Sequence, residues 1–151
     1  HPMIPAMLWQ MLIQNEEIPA AVKHFEQALA EYPNHWQLHY DLPEVLLRAK
    51  EPKRALASVE KSLVRRPDDV QLFELAARAS ADLGLKMKQH RFLGEQYARQ
   101  GNLRGALDQF ELVSKAGDGD YYEASYVDAR AREIKREIEQ LRKDNRRTLF
   151  E

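Results

Sequence analysis

The sequence contains no cysteine in its 151 residues. Disulfides, thiolate nucleophiles and thiolate metal sites are therefore excluded, while the redox compartment stays open, because a cysteine-free chain suits an oxidising or a reducing space. An excess of one charge is also lacking: 23 Lys and Arg stand against 24 Asp and Glu, for a net charge of −1. No global field pulls such a chain to nucleic acid or to anionic lipid. No apolar run approaches the roughly 20 residues that cross a bilayer. The stretch 3–13 is apolar but too short, and it lacks the basic start of a signal peptide. The chain opens at His1-Pro2, which reads as a piece of a longer protein, so the parent's destination is not encoded here.

Strings that carry catalysis are lacking as well. His-Glu-x-x-His, which sets two imidazoles one helical turn apart around a glutamate base, does not occur. Gly84, Gly94, Gly101 and Gly105 belong to no Gly-x-x-x-x-Gly-Lys phosphate loop. Ser58, Ser62, Ser80, Ser114 and Ser125 lie in helical patterns without a Gly-x-Ser-x-Gly elbow. His35 and His39, four apart with Asp41 near, have two of the ligands a metal needs and no evident third. The simpler reading puts His35 at a helix start and packs His39 in a helix pair. Asp118-Gly119-Asp120 lacks the alternating acids and the twelfth-position glutamate of a calcium loop, and reads as a turn with a helix N-cap. The basic tail, Arg142, Lys143, Arg146 and Arg147, is interleaved with Glu137, Glu139 and Asp144, the pattern of a solvated face.

What the sequence does have is internal repetition. A shift of about 34 residues lays Ala21 on Ala55, Phe25 on Val59, Ala28 on Ser62, Pro33 on Pro67, Gln37 on Gln71 and Leu38 on Leu72. Small residues let two helices approach, Phe25 and Val59 fill the gap between them, and each proline ends a helix. Asn34 with Gln37, and Asp68 with Gln71, have the spacing of capping boxes. A third copy is shifted by half a repeat and carries Leu93-Gly94, Tyr97, Gly101, Ala106 and Phe110. A period of this length built from two helices resembles the tetratricopeptide (TPR) family. The resemblance implies an all-α superhelix of antiparallel hairpins, a right-handed solenoid in one domain. Its repeats would fall at about 2–35, 36–69 and 70–103, the last overlapping 87–120.

The pattern predicts eight helices, over 3–14, 18–31, 36–49, 53–65, 70–83, 86–100, 103–115 and 121–143. Gly84 and Gly101 read as helix stops, and Gly94 as a close helix contact. Pro43 falls inside a predicted helix, where the family has a small residue, and predicts a kink or a late start. The last helix, opened by Asp120 with Glu123, carries Val127, Ala131, Ile134, Ile138 and Leu141 in one stripe. It reads as a terminal cap, with a frayed tail over 144–151. Met3, Met7, Leu8, Trp9 and Met11 make the first helix apolar on more than one side, a patch open to self-association.

The order of elements narrows the likeness. The Leu93–Phe110 unit, a Gly-Asp loop, Tyr122, Asp128-Ala129-Arg130 and a charged final helix resemble the C-terminal TPR region of bacterial periplasmic zinc metalloproteases of the BepA type. That likeness implies a non-catalytic module whose zinc belongs to the parent's separate catalytic domain, with no cofactor held by this chain. It implies a periplasmic location, a cytoplasmic one being the alternative. The implied partners are client or assembly-machinery proteins in outer-membrane quality control, or the parent's own protease domain. The rival expectation is a TPR scaffold of an unrelated assembly or signalling complex. In TPR proteins the first helix of each pair lines the inner face. The lining would here be Gln10, Gln14, Gln37, Tyr40, Glu44, Arg48, Gln71, Glu74, Arg78 and Asp82. Such amides and mixed charges suit a peptide or protein edge, with Tyr40 as a flat anchor. The lysine-asparagine clamp for a C-terminal carboxylate is not recognisable.

Overall fold

The computed structural model describes residues 17–150. The predicted helix at 3–14, its apolar patch, and Gln10 and Gln14 lie outside the described residues. Those residues form seven helices and no strand. The chain divides into two compact units, His1–Leu83 and Gly84–Glu151.

The first unit holds α1 (Ile18–Glu31), α2 (Trp36–Arg48), α3 (Pro52–Arg65) and α4 (Val70–Asp82). Each packs on the next, and α2 also touches α4. Proline sets the punctuation. Pro52 opens α3 in the first turn, where a missing N–H costs nothing. Pro33 and Pro67 follow the caps of α1 and α3. The repeat positions form the core: Ala21, Phe25, Ala55, Val59, Leu38 and Leu72 are each at most 2% exposed. Burying Phe25 alone contributes roughly 2–3 kcal/mol. Ala28 and Ser62 are buried too, as their shared register requires. Pro43 sits within α2 and is fully buried. The helix starts at Trp36 as predicted, not late.

Two capping expectations are each corrected by one residue. Asn34 does not cap α2; the cap position is His35, whose side chain makes no capping bond, and Asn34 Oδ1 instead accepts from Arg65 at 2.7 Å. At α4 the capping oxygen belongs to Asp69, not Asp68, and accepts from the Leu72 N–H at 3.0 Å. In both turns the chain runs one residue further before helical geometry begins.

The second unit holds α5 (Lys86–Arg99), α6 (Leu103–Ala116) and α7 (Tyr121–Phe150). Helices α5 and α6 form a hairpin, and α7 packs on both. Gly94 makes the hairpin tight. A Cβ placed there would lie 2.6 Å from Phe110 Cδ1, and Phe110 is 2% exposed. Gly84 and Gly101 take φ of 73° and 82° just past helix ends, the left-handed stops that other residues adopt at a cost. Asp120 Oδ1 accepts from the Glu123 N–H at 2.8 Å, the N-cap its spacing predicts. Asp118 has a role that the local sequence does not announce. Its two carboxylate oxygens accept from the N–H groups of Lys86, at 2.6 Å, and Met87, at 2.8 Å. It caps α5, whose own cap residue, Leu85, has no side chain able to do so. These bonds, the one from Met87 first, hold the Asp118 carboxyl below the usual range.

The frayed tail expected after 143 is corrected: α7 continues to Phe150. No glycine or proline follows Gly119 to stop it. Asp144 accepts a side-chain bond from Gln140 and, through its carbonyl, one from Thr148. Val127 and Ile134 are buried against Ala106, Phe110 and Val113, with Ile138 partly so. Beyond them Leu141, Leu149 and Phe150 are exposed.

Candidate partner-binding face

Helices α2 and α4 lie against each other and carry eight of the ten predicted lining residues. The contact follows from the repeat, since each is the first helix of its pair. Glu44 and Arg78, 34 residues apart, meet in a bidentate ion pair: Arg78 donates to the two carboxylate oxygens at 2.7 and 3.0 Å. Arg48 approaches Glu44 at 3.9 Å. The Glu44 bond holds the Arg78 pKa above its usual value, with Glu74 and Asp82 adding negative field. The structure thus gathers Glu44, Arg48, Glu74, Arg78 and Asp82 into one charged patch. Gln37 is exposed and donates to Asp41 at 3.0 Å, and Gln71 is exposed on α4. Burial raises the Asp41 pKa, with the Gln37 bond opposing.

Tyr40 is placed differently from the free anchor expected of it. It is half-buried, and its hydroxyl donates to Asp69 Oδ2 at 2.5 Å and accepts from Arg66 at 3.4 Å. Burial first, then Asp69, raises its pKa. Asp69 is the hub: one oxygen caps α4, and the other fixes α2 through Tyr40. Tyr40 therefore ties the two helices together and offers a partner only its ring.

His39 is held by ordinary packing and is 6% exposed. Its Nε2 lies 2.7 Å from the Pro33 carbonyl and its Nδ1 2.7 Å from Ser62 Oγ. A carbonyl only accepts, so Nε2 carries the proton and Nδ1 accepts from the Ser62 hydroxyl. Burial, reinforced by the Arg65 and Arg66 charges, lowers the His39 pKa and keeps the ring neutral. Trp36 stacks on this ring at 4.0 Å, and the Arg66 guanidinium lies 3.7 Å from the Trp36 ring centroid. Among the described residues no three His, Asp or Glu side chains are grouped to hold a metal ion. A cleft of about 420 Å³ separates α1 from α3, floored by Leu29, His39 and Leu42. The Arg54–Glu26 ion pair and the Arg65 bonds to Pro33 and Asn34 cross between the same segments.

In the second unit the structure reveals a cluster absent from the sequence prediction. Glu95 on α5 is 2% exposed. It accepts from Arg130 Nε at 2.8 Å, Arg99 Nη1 at 2.8 Å and the Tyr126 hydroxyl at 3.2 Å. Burial works against the Arg130 charge, but the Glu95 and Glu133 bonds outweigh it and its pKa is raised. Arg91 reaches Glu123 at 3.3 Å and lies over the Tyr126 ring. The signal was available. Glu95 directly follows Gly94, as Glu44 follows Pro43 at the family's small position, so the same register marks both carboxylates as inward-facing.

Residues 12–79 match the model of the tetratricopeptide repeat family. No curated protein matches the chain. The match and the helical hairpins together make the fold class all-α and TPR-like. Repeats of this kind make protein–protein interaction modules, and no described helix is long and apolar enough to cross a membrane.

Proposed function

We propose that the chain is a non-catalytic docking module that grips a protein or peptide partner on the α2–α4 face. The observation that carries this reading is the side-by-side placement of α2, which lies within the segment that matches the repeat family, and α4, which lies within it up to residue 79. It sets exposed Gln37 and Gln71 beside the Glu44–Arg78 patch. Amides bond backbone groups of an extended partner, and the mixed charges select its side chains. Gln71→Ala with Glu74→Ala touches only exposed side chains. It is expected to reduce recovery of partners from extract at least several-fold while leaving the helical content unchanged. Full recovery would move binding to another face.

The finer reading is that this module is the C-terminal portion of a BepA-type periplasmic zinc metalloprotease, acting on clients or the assembly machinery of the outer membrane. The order of the Leu93–Phe110 unit, the Gly-Asp loop and the charged last helix supports it. Zinc and bond cleavage would belong to a separate domain of the parent, since no His-Glu-x-x-His string is present here. The parent gene is expected to encode that string upstream. A parent without it would leave the scaffold of an unrelated complex as the reading.

A further inference from the structure

Helix α7 is longer than its own unit can cover. Its first half buries Val127 and Ile134, while past Ile138 the stripe continues as Leu141 and Leu149, which are 52% and 79% exposed. Together with Leu103 at the start of α6, these residues floor a cleft of about 550 Å³ in the second unit. Among the described residues the charged side chains lining that cleft are Arg104, Arg142 and Arg146, and none is acidic. Among the described residues the α7 pair meets one carboxylate, Glu139, at 3.7 Å from Arg142 and 3.6 Å from Arg146, outside the lining. Both arginines remain more than half exposed.

We propose that this cleft is a second docking site, and that its occupant is an acidic amphipathic helix of a partner protein. The floor from Ile138 to Leu149 runs along the α7 axis for about 16 Å, some three helical turns. A helix brings its backbone hydrogen bonds with it, so it can cover an apolar stripe that offers none. An extended strand there would leave its own amides unpaired. Leucine-type anchors at i, i+3, i+4 and i+7 give the partner helix one continuous apolar face to lay along the floor, and carboxylates on its flanks meet the arginine rim. A second copy of this cleft fits poorly, because it would set one arginine rim against another. Nucleic acid would satisfy the arginines but would leave the leucines against a phosphate backbone.

The test uses two labelled peptides, each roughly 18 residues long, enough for a helix to form on binding. They share leucines at i, i+3, i+4 and i+7, with the remaining positions glutamate in one and lysine in the other. Fluorescence anisotropy on the whole chain is expected to show the glutamate peptide bound at least about tenfold more tightly, with the preference shrinking as salt rises. Leu141→Ser with Leu149→Ser, and separately Arg142→Glu with Arg146→Glu, are each expected to weaken that binding about tenfold. Both pairs are exposed, so the melting temperature should hold, and circular dichroism checks it. Several results would overturn the site: equal binding of the two peptides, no binding of the glutamate peptide at millimolar concentration, or variants that bind like the parent. A short DNA duplex binding as tightly as the peptide would overturn it too, as would sedimentation showing that the leucine pair holds a dimer together.

Discussion

Removing the Glu95 carboxylate tests whether the second unit is organised around it. Glu95 receives three donors while 2% exposed. Breaking a fully buried ion pair costs about 3–5 kcal/mol, and an exposed one at most about 1. This cluster lies between those limits. The Arg99 and Arg130 side chains keep 24% and 21% exposure, so water reaches both once Glu95 is gone. Arg130 also retains Glu133 at 2.6 Å. Glu95→Ala is therefore expected to cost roughly 2–3 kcal/mol. Because the chain has two compact units, a single melting curve need not be two-state. Native-state hydrogen exchange on the α5 and α7 amides reads the local free energy directly. Glu95→Met with Arg130→Met removes both charges and keeps the volume, and should recover stability to within about 1 kcal/mol of the parent. A loss below about 0.5 kcal/mol for Glu95→Ala, or a double variant as unstable as the sum of its singles, would refute the reasoning.

Two further outcomes follow from packing and protonation. Gly94→Ala would gain up to about 1 kcal/mol of helix propensity in open space, but here its methyl meets the buried Phe110 ring. A net loss of about 1–2 kcal/mol is expected, read by the same exchange experiment; a gain would show that the hairpin is looser than the structure has it. The depressed His39 pKa fixes the sign of a pH effect. The unfolded chain takes up the His39 proton before the folded one does, so its contribution to stability is full above the ordinary histidine pKa and is lost as pH falls through and below it. Urea midpoints from pH 8 down to about 5.5 should fall for the parent and stay flatter for His39→Gln. Parallel curves would remove His39 as the cause.

What was legible in the sequence is what repeats. The alternation of small and large residues, Ala21 with Phe25 and Ala55 with Val59, survives because two helices approach closely only where side chains are short. Gly94 and Ala106–Phe110 obey the same rule. Gly84 and Gly101 announce their stops through backbone freedom. What was not legible depends on separation along the chain. Nothing local distinguishes Asp118, bonded to an amide 31 residues earlier, from a turn residue. Asp69 displaces Asp68 as the cap because Tyr40, 29 residues away, holds its other oxygen. Tyr40 looked like an exposed anchor because its register was known and its partner was not. The length of α7 was misjudged for a different reason. A polar stretch such as Asp144–Arg147 lacks the apolar periodicity that marks a packed helix, yet nothing in it breaks one.

The Asp118 carboxylate gives the second unit an order of assembly. The chain is made from its N-terminus, so Lys86 and Met87 leave the ribosome with their amides bonded only to water and stay so until residue 118 has followed them out. Helix α5 is thus completed by a residue that follows the whole of α6. A ribosome stalled between the two would display the first helix of the pair with its leading end still open.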